Sequence, residues 1–266
     1  MGAGTAREGG RRAARRGKRS DEPTDDRVPG KRKTSTGRRI TFWIGMGLIL
    51  AGLGLLGYVA WQFWGTNWVS KREHRQITSE LQEDWGAGNG KPPKFIPQGQ
   101  ASALIRIPRF GKKYVVPVLE GTTQEILAKG YGHFDDVADP GQIGNYAVAA
   151  HRVTHGEPLK NMPDLRPGDK VIVETVDATY TYELDTNPNE LVIPFTETWV
   201  LDPVPDNPDE GEPEPEQVEG QRLITLTTCS EIFHTDNRMI AFGHLVKSEK
   251  KAPVTKPAKA KKKSAG

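Results

Sequence analysis

Two stretches, Arg222-Leu-Ile-Thr-Leu-Thr-Thr-Cys229 and Arg238-Met-Ile-Ala-Phe-Gly-His-Leu-Val246, are rich in the β-branched and aromatic residues that favour strands. Cys229 ends the first and is the chain's sole cysteine. The segment between them is short enough to join neighbouring strands, which sets Cys229 and Arg238 at one rim of a sheet. Upstream, the apolar run Asn145-Tyr-Ala-Val-Ala-Ala-His151 closes on a histidine. A thiol, an imidazole and a guanidinium at three strand ends are the parts needed for acyl transfer through a thioester. Cysteine attacks as its thiolate, and an imidazole can take that proton and return it to a leaving amine. Arg238 stays protonated, so it can donate to a developing oxyanion and favour the thiolate. Spacing alone does not bring His151 to the other two. Thr228 reads equally well as a group that hydrogen-bonds substrate and as an ordinary strand threonine.

Outward from this pair, further alternating or β-branched runs occupy 103–107, 114–119, 146–150, 170–175, 179–184 and 190–193. Turn formers such as Asp139-Pro-Gly, Arg166-Pro-Gly-Asp and Asn187-Pro-Asn punctuate them. About eight short strands with one helical patch at 123–129 predict a mainly β barrel or sandwich. Residues 101–246 are enough for one domain with a sizeable core. Residues 202–219 hold five prolines and eight acids and read as a solvated loop.

No charged residue lies between Ile40 and Ser70. Residues 40–63 are apolar enough to span a bilayer core, which takes about 20 helical residues. Trp43 near one end and Trp61, Trp64 and Trp68 near the other suit the two interfaces. A core helix would have to be apolar all round beside a tail that has no core. A cleaved signal peptide would have a shorter apolar region ending in small residues. An uncleaved signal-anchor fits better. Residues 1–39 carry 13 Lys+Arg against 5 Asp+Glu, and basic flanks stay in the cytoplasm. This expectation places a disordered basic segment (1–39) inside, a transmembrane helix at 40–63, and the rest outside the cell membrane. Residues 64–100 then form a stalk, with a charged short helix at 71–85 and a Gly/Pro-rich linker beyond it. Residues 247–266 form a disordered lysine-rich tail of net +7. The whole-chain +3 less +8 and +7 for the tails leaves −12 for residues 40–246. Nucleic-acid binding by the exported domain is therefore not expected, since phosphate contacts need a basic face.

Outside a membrane, structural cysteines pair as disulfides, and a single one cannot staple the chain to itself. A buried inert thiol and a free reactive one are the two readings. No HExxH, paired CxxC or EF-hand pattern is present, so no metal or other cofactor is expected.

The stretch Thr225-Leu-Thr-Thr-Cys229 with Arg238, and Ala150-His151-Arg-Val-Thr-His-Gly156 upstream, resembles the signature of the sortases, membrane-anchored cysteine transpeptidases of Gram-positive bacteria. The Thr-Leu-x-Thr-Cys and His-Arg-x-Thr-x-Gly forms are most similar to class E. Ile105-Arg-Ile-Pro108, Gly132-His133 and Pro140-Gly with Gly144-Asn145 also fit. The resemblance implies an eight-stranded sortase-type β-barrel over 101–246, with one or two short helices. It implies Cys229 as nucleophile, His151 as general acid/base and Arg238 as oxyanion or carbonyl donor. It also implies cleavage of a C-terminal sorting signal, LPXTG-like and of the Leu-Ala-x-Thr-Gly form, between Thr and Gly. The partners so implied are secreted proteins bearing that signal and a lipid-linked peptidoglycan precursor whose amine accepts the acyl group. Glu231 and His234 stand where class E members often have Pro and a small hydroxyl residue, and the acidic loop after Leu201 is long.

Other histidines have blander readings. His155 suits a neighbour of His151, His133 a groove or structural position, His234 an exposed loop, and His244 a pocket or packed position. An L,D-transpeptidase also uses Cys and His on a β-scaffold, but its Gly-Cys-centred motif is absent. A non-catalytic or pilus-dedicated surface assembly module is the alternative function.

Overall fold

The computed structural model describes residues 36–86, 95–230 and 236–252. The expectations for 1–35, for the linker at 87–94, for Glu231 and His234, and for the tail from 253 onward lie outside these residues.

Helix α1 (Thr36–Ala60) buries none of its residues. Among the described residues it is the one helix long and apolar enough to cross a membrane. It runs through a π-helical turn (Trp61–Gly65) into α2 (Thr66–Gly86). The chain separates into two compact units between Ala51 and Gly52. A 21-residue helix thus stands where a stalk with a shorter helix was expected. Its buried residues are Asn67, Ser70, His74 and Thr78, spaced three and four apart on one face. Because that stripe is polar, no apolar period announces it.

Among the described residues nine strands follow: β1 (Ala101–Arg106), β2 (Val116–Glu120), β3 (Tyr131–His133), β4 (Gly144–Ala149), β5 (Lys170–Glu174), β6 (Ala178–Leu184), β7 (Val192–Pro194), β8 (Arg222–Cys229) and β9 (Asn237–Lys250). Eight of them close a barrel in the order β6-β5-β1-β2-β3-β4-β8-β9, with β9 returning to β6. The short helix α3 (Gln124–Leu127) lies between β2 and β3. The expected number of barrel strands is right, but one member differs. β3, three residues long, has too few positions for a period. The 190–193 run becomes β7, which pairs only with the start of β9 and sits outside the ring.

β9 closes the barrel because it is long. Its first residues pair with β7, its later ones with β6, and its other edge with β8. At the crossing, a Cβ on Gly243 would lie 2.5 Å from the Glu183 carbonyl oxygen, so only glycine fits. The strand continues to Lys250, opposite Ala178, and the Lys251 N–H donates to the Asp177 carbonyl at 2.7 Å. The sheet therefore runs past residue 246 into the segment expected to be a disordered tail.

Alternate residues fill the barrel: Ala103 and Ile105, Tyr146 and Val148, Val171 and Val173, Ile224 and Leu226, Met239 and Ala241. The opposite face of β9 is buried too. Ile240 and Phe242 pack with Leu191, Ile193 and Val200 in a second cluster beneath the β7–β8 connection. Asn145, 1% exposed, holds that connection down. Its amide donates to the carbonyls of Val200 (2.9 Å) and Asp202 (3.2 Å), while its Oδ1 accepts from the Thr225 hydroxyl at 2.8 Å. Removing one member strands the other buried polar groups, at about 1–3 kcal/mol. Asn145→Ala is expected to lower unfolding stability by about that amount, read as a reduced urea midpoint at an unchanged m-value.

Candidate active site

Strand pairing assembles the site. β4 and β8 are parallel and in register, with Ala149 opposite Thr227, and the Ala150 N–H donates to the Thr227 carbonyl at 3.1 Å. His151 and Cys229 each lie two residues beyond that last pair, so both leave the same end of the barrel. β8 and β9 are antiparallel, and Cys229 faces Arg238 directly. The main chain thereby supplies what spacing could not: His151, Thr228, Cys229 and Arg238 all line one cavity of about 570 Å³. Its apolar walls include Leu127, Phe134, Ile193, Val200, Leu201 and Ile240.

Cys229 is half-buried. The Nε2 of His151 is buried and has no hydrogen-bond partner within the protein. Burial, followed by the neighbouring His155 and Arg238, lowers the His151 pKa to about 4, so the imidazole is neutral near pH 7. The His155 ring stacks on it, with centroids 4.7 Å apart. Arg238 donates from Nη1 to the Asn237 carbonyl at 3.0 Å, and its guanidinium lies 5.8 Å from the Phe195 ring centroid. Thr228, 2% exposed, donates its hydroxyl to the Ala150 carbonyl at 2.7 Å. That bond ties the residue before Cys229 to the residue before His151.

Sequence reasoning missed three supporting groups. Arg152, inside the stretch already singled out, donates from Nη1 to the carbonyls of Ser230 and of Cys229 (3.5 Å) and so braces the chain just after the cysteine. Phe195 offers an aromatic face to Arg238, and no local signal marks it. Asn67 of α2 reaches the turn after His151. Its amide donates to the Val153 carbonyl (3.2 Å), and its Oδ1 accepts from the Gly156 N–H (2.8 Å). In that turn His155, Gly156 and Glu157 have consecutive positive φ values of 52°, 85° and 54°. Left-handed backbone costs a non-glycine residue about 1–2 kcal/mol. Gly156 is glycine for a second reason, since a Cβ there would lie 2.5 Å from Cε1 of His74.

Among the described residues, His133 and His244 stand apart from the site. His133 is buried, its ring bonded to the Glu120 carboxylate (2.8 Å) and the Ala138 carbonyl (3.2 Å). His244 contacts the Asp185 carboxylate at 2.7 Å. Among the described residues no group of three or more His, Cys, Asp or Glu could hold a metal ion. The acidic loop folds on itself. The Asn207 N–H donates to Glu214 (2.9 Å), and the Gln217 amide donates to the carbonyls of Pro205 (2.7 Å) and Pro215 (3.0 Å). The cavity is lined by the connection up to Leu201 and by none of 202–219.

A closed eight-stranded barrel with a cysteine, a histidine and an arginine at one mouth is the arrangement the sequence resemblance implied. Residues 105–246 match the family model for the sortase domain, and the chain belongs to the sortase family. Sortase SrtE1 of Streptomyces coelicolor is 37% identical over 213 residues, which cover 76% of this chain and 56% of that protein. The chain thus spans little more than half the length of this curated relative. Sortase SrtE2 of the same organism is 27% identical over 214 residues, 76% of this chain and 81% of its own length. The structure of sortase E from Streptomyces avermitilis matches with a TM-score of 0.50 at 39% identity, covering 61% of this chain and 97% of that one.

Buried His74 and half-buried His151 set an expectation for pH. His151 and His74 are each lowered to about 4, chiefly by burial, against an ordinary 6.5. At these two sites the unfolded chain therefore takes up more protons as pH falls from 6.5 to 4, so their contribution to stability is lost across that window and is constant below it. Melting temperatures recorded from pH 7 to 4 should fall, and His74→Gln should flatten the slope. In an NMR titration the His151 midpoint should lie near pH 4 and rise in His155→Ala, which removes a like-charged neighbour and admits water.

Proposed function

We propose that the chain is a membrane-anchored cysteine transpeptidase of the class E type. In this reading it cleaves a Leu-Ala-x-Thr-Gly-like sorting signal between Thr and Gly and passes the protein to a peptidoglycan precursor amine. The observation that carries the reading is the shared cavity of Cys229, His151 and Arg238, into which a buried imidazole nitrogen brings no protein partner of its own.

The chemistry follows from these groups. The neutral His151 takes the Cys229 thiol proton, and the thiolate attacks the carbonyl carbon of the signal's threonine. Arg238 donates to the resulting oxyanion. As the tetrahedral species collapses, the C–N bond breaks, and the His151 imidazolium protonates the departing glycine amine. A thioester remains on Cys229. An acceptor amine then attacks it and yields a proton to His151, and the thiolate leaves and is reprotonated. The apolar walls suit the leucine and alanine of the signal. Thr228 contributes at the substrate end through a hydroxyl oxygen that can still accept a hydrogen bond while its proton is given to Ala150.

The chain order fits this task. Residues 1–39 are the basic cytoplasmic segment, 40–63 the anchor and 64–100 the connection; the catalytic domain begins at 101 and, with β9 reaching Lys250, extends past 246 before the rest of the lysine-rich tail. The basic N-terminal flank supports a catalytic domain outside the membrane.

Full-length protein in detergent should cleave a Leu-Ala-x-Thr-Gly peptide between Thr and Gly, as read by mass. Cys229→Ala should abolish cleavage, and Arg238→Ala should reduce kcat by about 10²–10³. Unchanged cleavage by Cys229→Ala would refute the reading.

A further inference from the structure

Helix α2 does more than connect the apolar segment to the barrel. Its Asn67 side chain makes both ends of a two-point bond to the turn that follows His151, at the Val153 carbonyl (3.2 Å) and the Gly156 N–H (2.8 Å). One turn further along α2, Lys71 pairs with Glu157 at 3.1 Å. His74 then fills the space that a side chain on Gly156 would need. The turn so gripped holds three successive positive φ values, a conformation that persists only when its surroundings enforce it. It carries His155, whose ring covers the His151 ring.

We infer that Asn67 is a positioning residue for the general acid/base: by holding the 153–157 turn in its strained form, α2 fixes His155 against His151 and orients the imidazole toward the Cys229 cavity. The inference rests on the proposed role of His151, but it does not depend on which peptide is cleaved. The part of the chain that leaves the apolar segment is, on this view, a component of the active site.

The test uses iodoacetamide, because Cys229 is the sole cysteine and its alkylation rate reports thiolate formation without any sorting signal. In full-length protein in lipid nanodiscs, Asn67→Ala should slow alkylation at pH 7 by about tenfold, in line with the cost of displacing a catalytic group. Amide exchange at Gly156 should accelerate. Asn67→Asp, which keeps the acceptor for Gly156, should recover part of the rate. In a His151→Ala background the same Asn67→Ala change should alter the rate by less than about twofold, since both substitutions remove one function. Wild-type alkylation by Asn67→Ala, or a full additive effect in the His151→Ala background, would overturn the inference. A wild type that alkylates readily yet leaves the peptide uncut would count against the substrate reading and leave this one standing.

Discussion

The hydrogen-bonded register between β4 and β8 is the constraint from which the site descends. Parallel neighbours run the same way, so residues at equal offsets past the last pair emerge together, and Ala149 opposite Thr227 brings out His151 beside Cys229. An antiparallel neighbour then returns the chain, and Arg238 falls opposite the cysteine. No side-chain bridge is needed to gather the three groups. A slip of one residue in either pairing would turn the alternating core side chains of β8 outward, so the barrel interior and the site share one register. The packing of Ile224 and Leu226 inside, with Thr225 and Thr227 outside, enforces both.

Around this frame, polar side chains fix the loops that backbone pairing leaves unconstrained. Asn145 and Thr225 pin the β7–β8 connection, Arg152 braces the chain after Cys229, and Asn67 grips the turn after His151. Each is a side chain on a regular element, or next to one, that reaches loop carbonyls or amides. Such bonds are directional and fix a loop at a distance that apolar packing alone would leave loose.

How much of this was legible depends on which force wrote it. The closing strands, with their β-branched residues, and the cysteine and arginine at their ends followed from residue type and spacing. The His-Arg-x-Thr-x-Gly stretch pointed to His151, and its glycine now has a physical cause in the approach of His74. β3 was not legible because Tyr131–His133 is too short to show a period. Helix α2 was read only in part, because it buries Asn67, Ser70, His74 and Thr78, and the hydrophobic pattern that betrays most surface helices is missing. The extension of β9 to Lys250 was hidden for a related reason. Lysine and glutamate stand on its exposed face, and pairing with β6 decides the matter.

The Asn145 pin divides the β7–β8 connection into two regions with different freedom. Up to Leu201 the chain is a wall of the cavity; beyond Asp202 it is a self-bonded acidic excursion that returns at Arg222 without lining the cavity. Length and composition in the excursion can therefore drift independently of what the cavity admits. An affinity tag or fluorophore grafted there would report on the protein from outside the cavity while leaving its mouth intact.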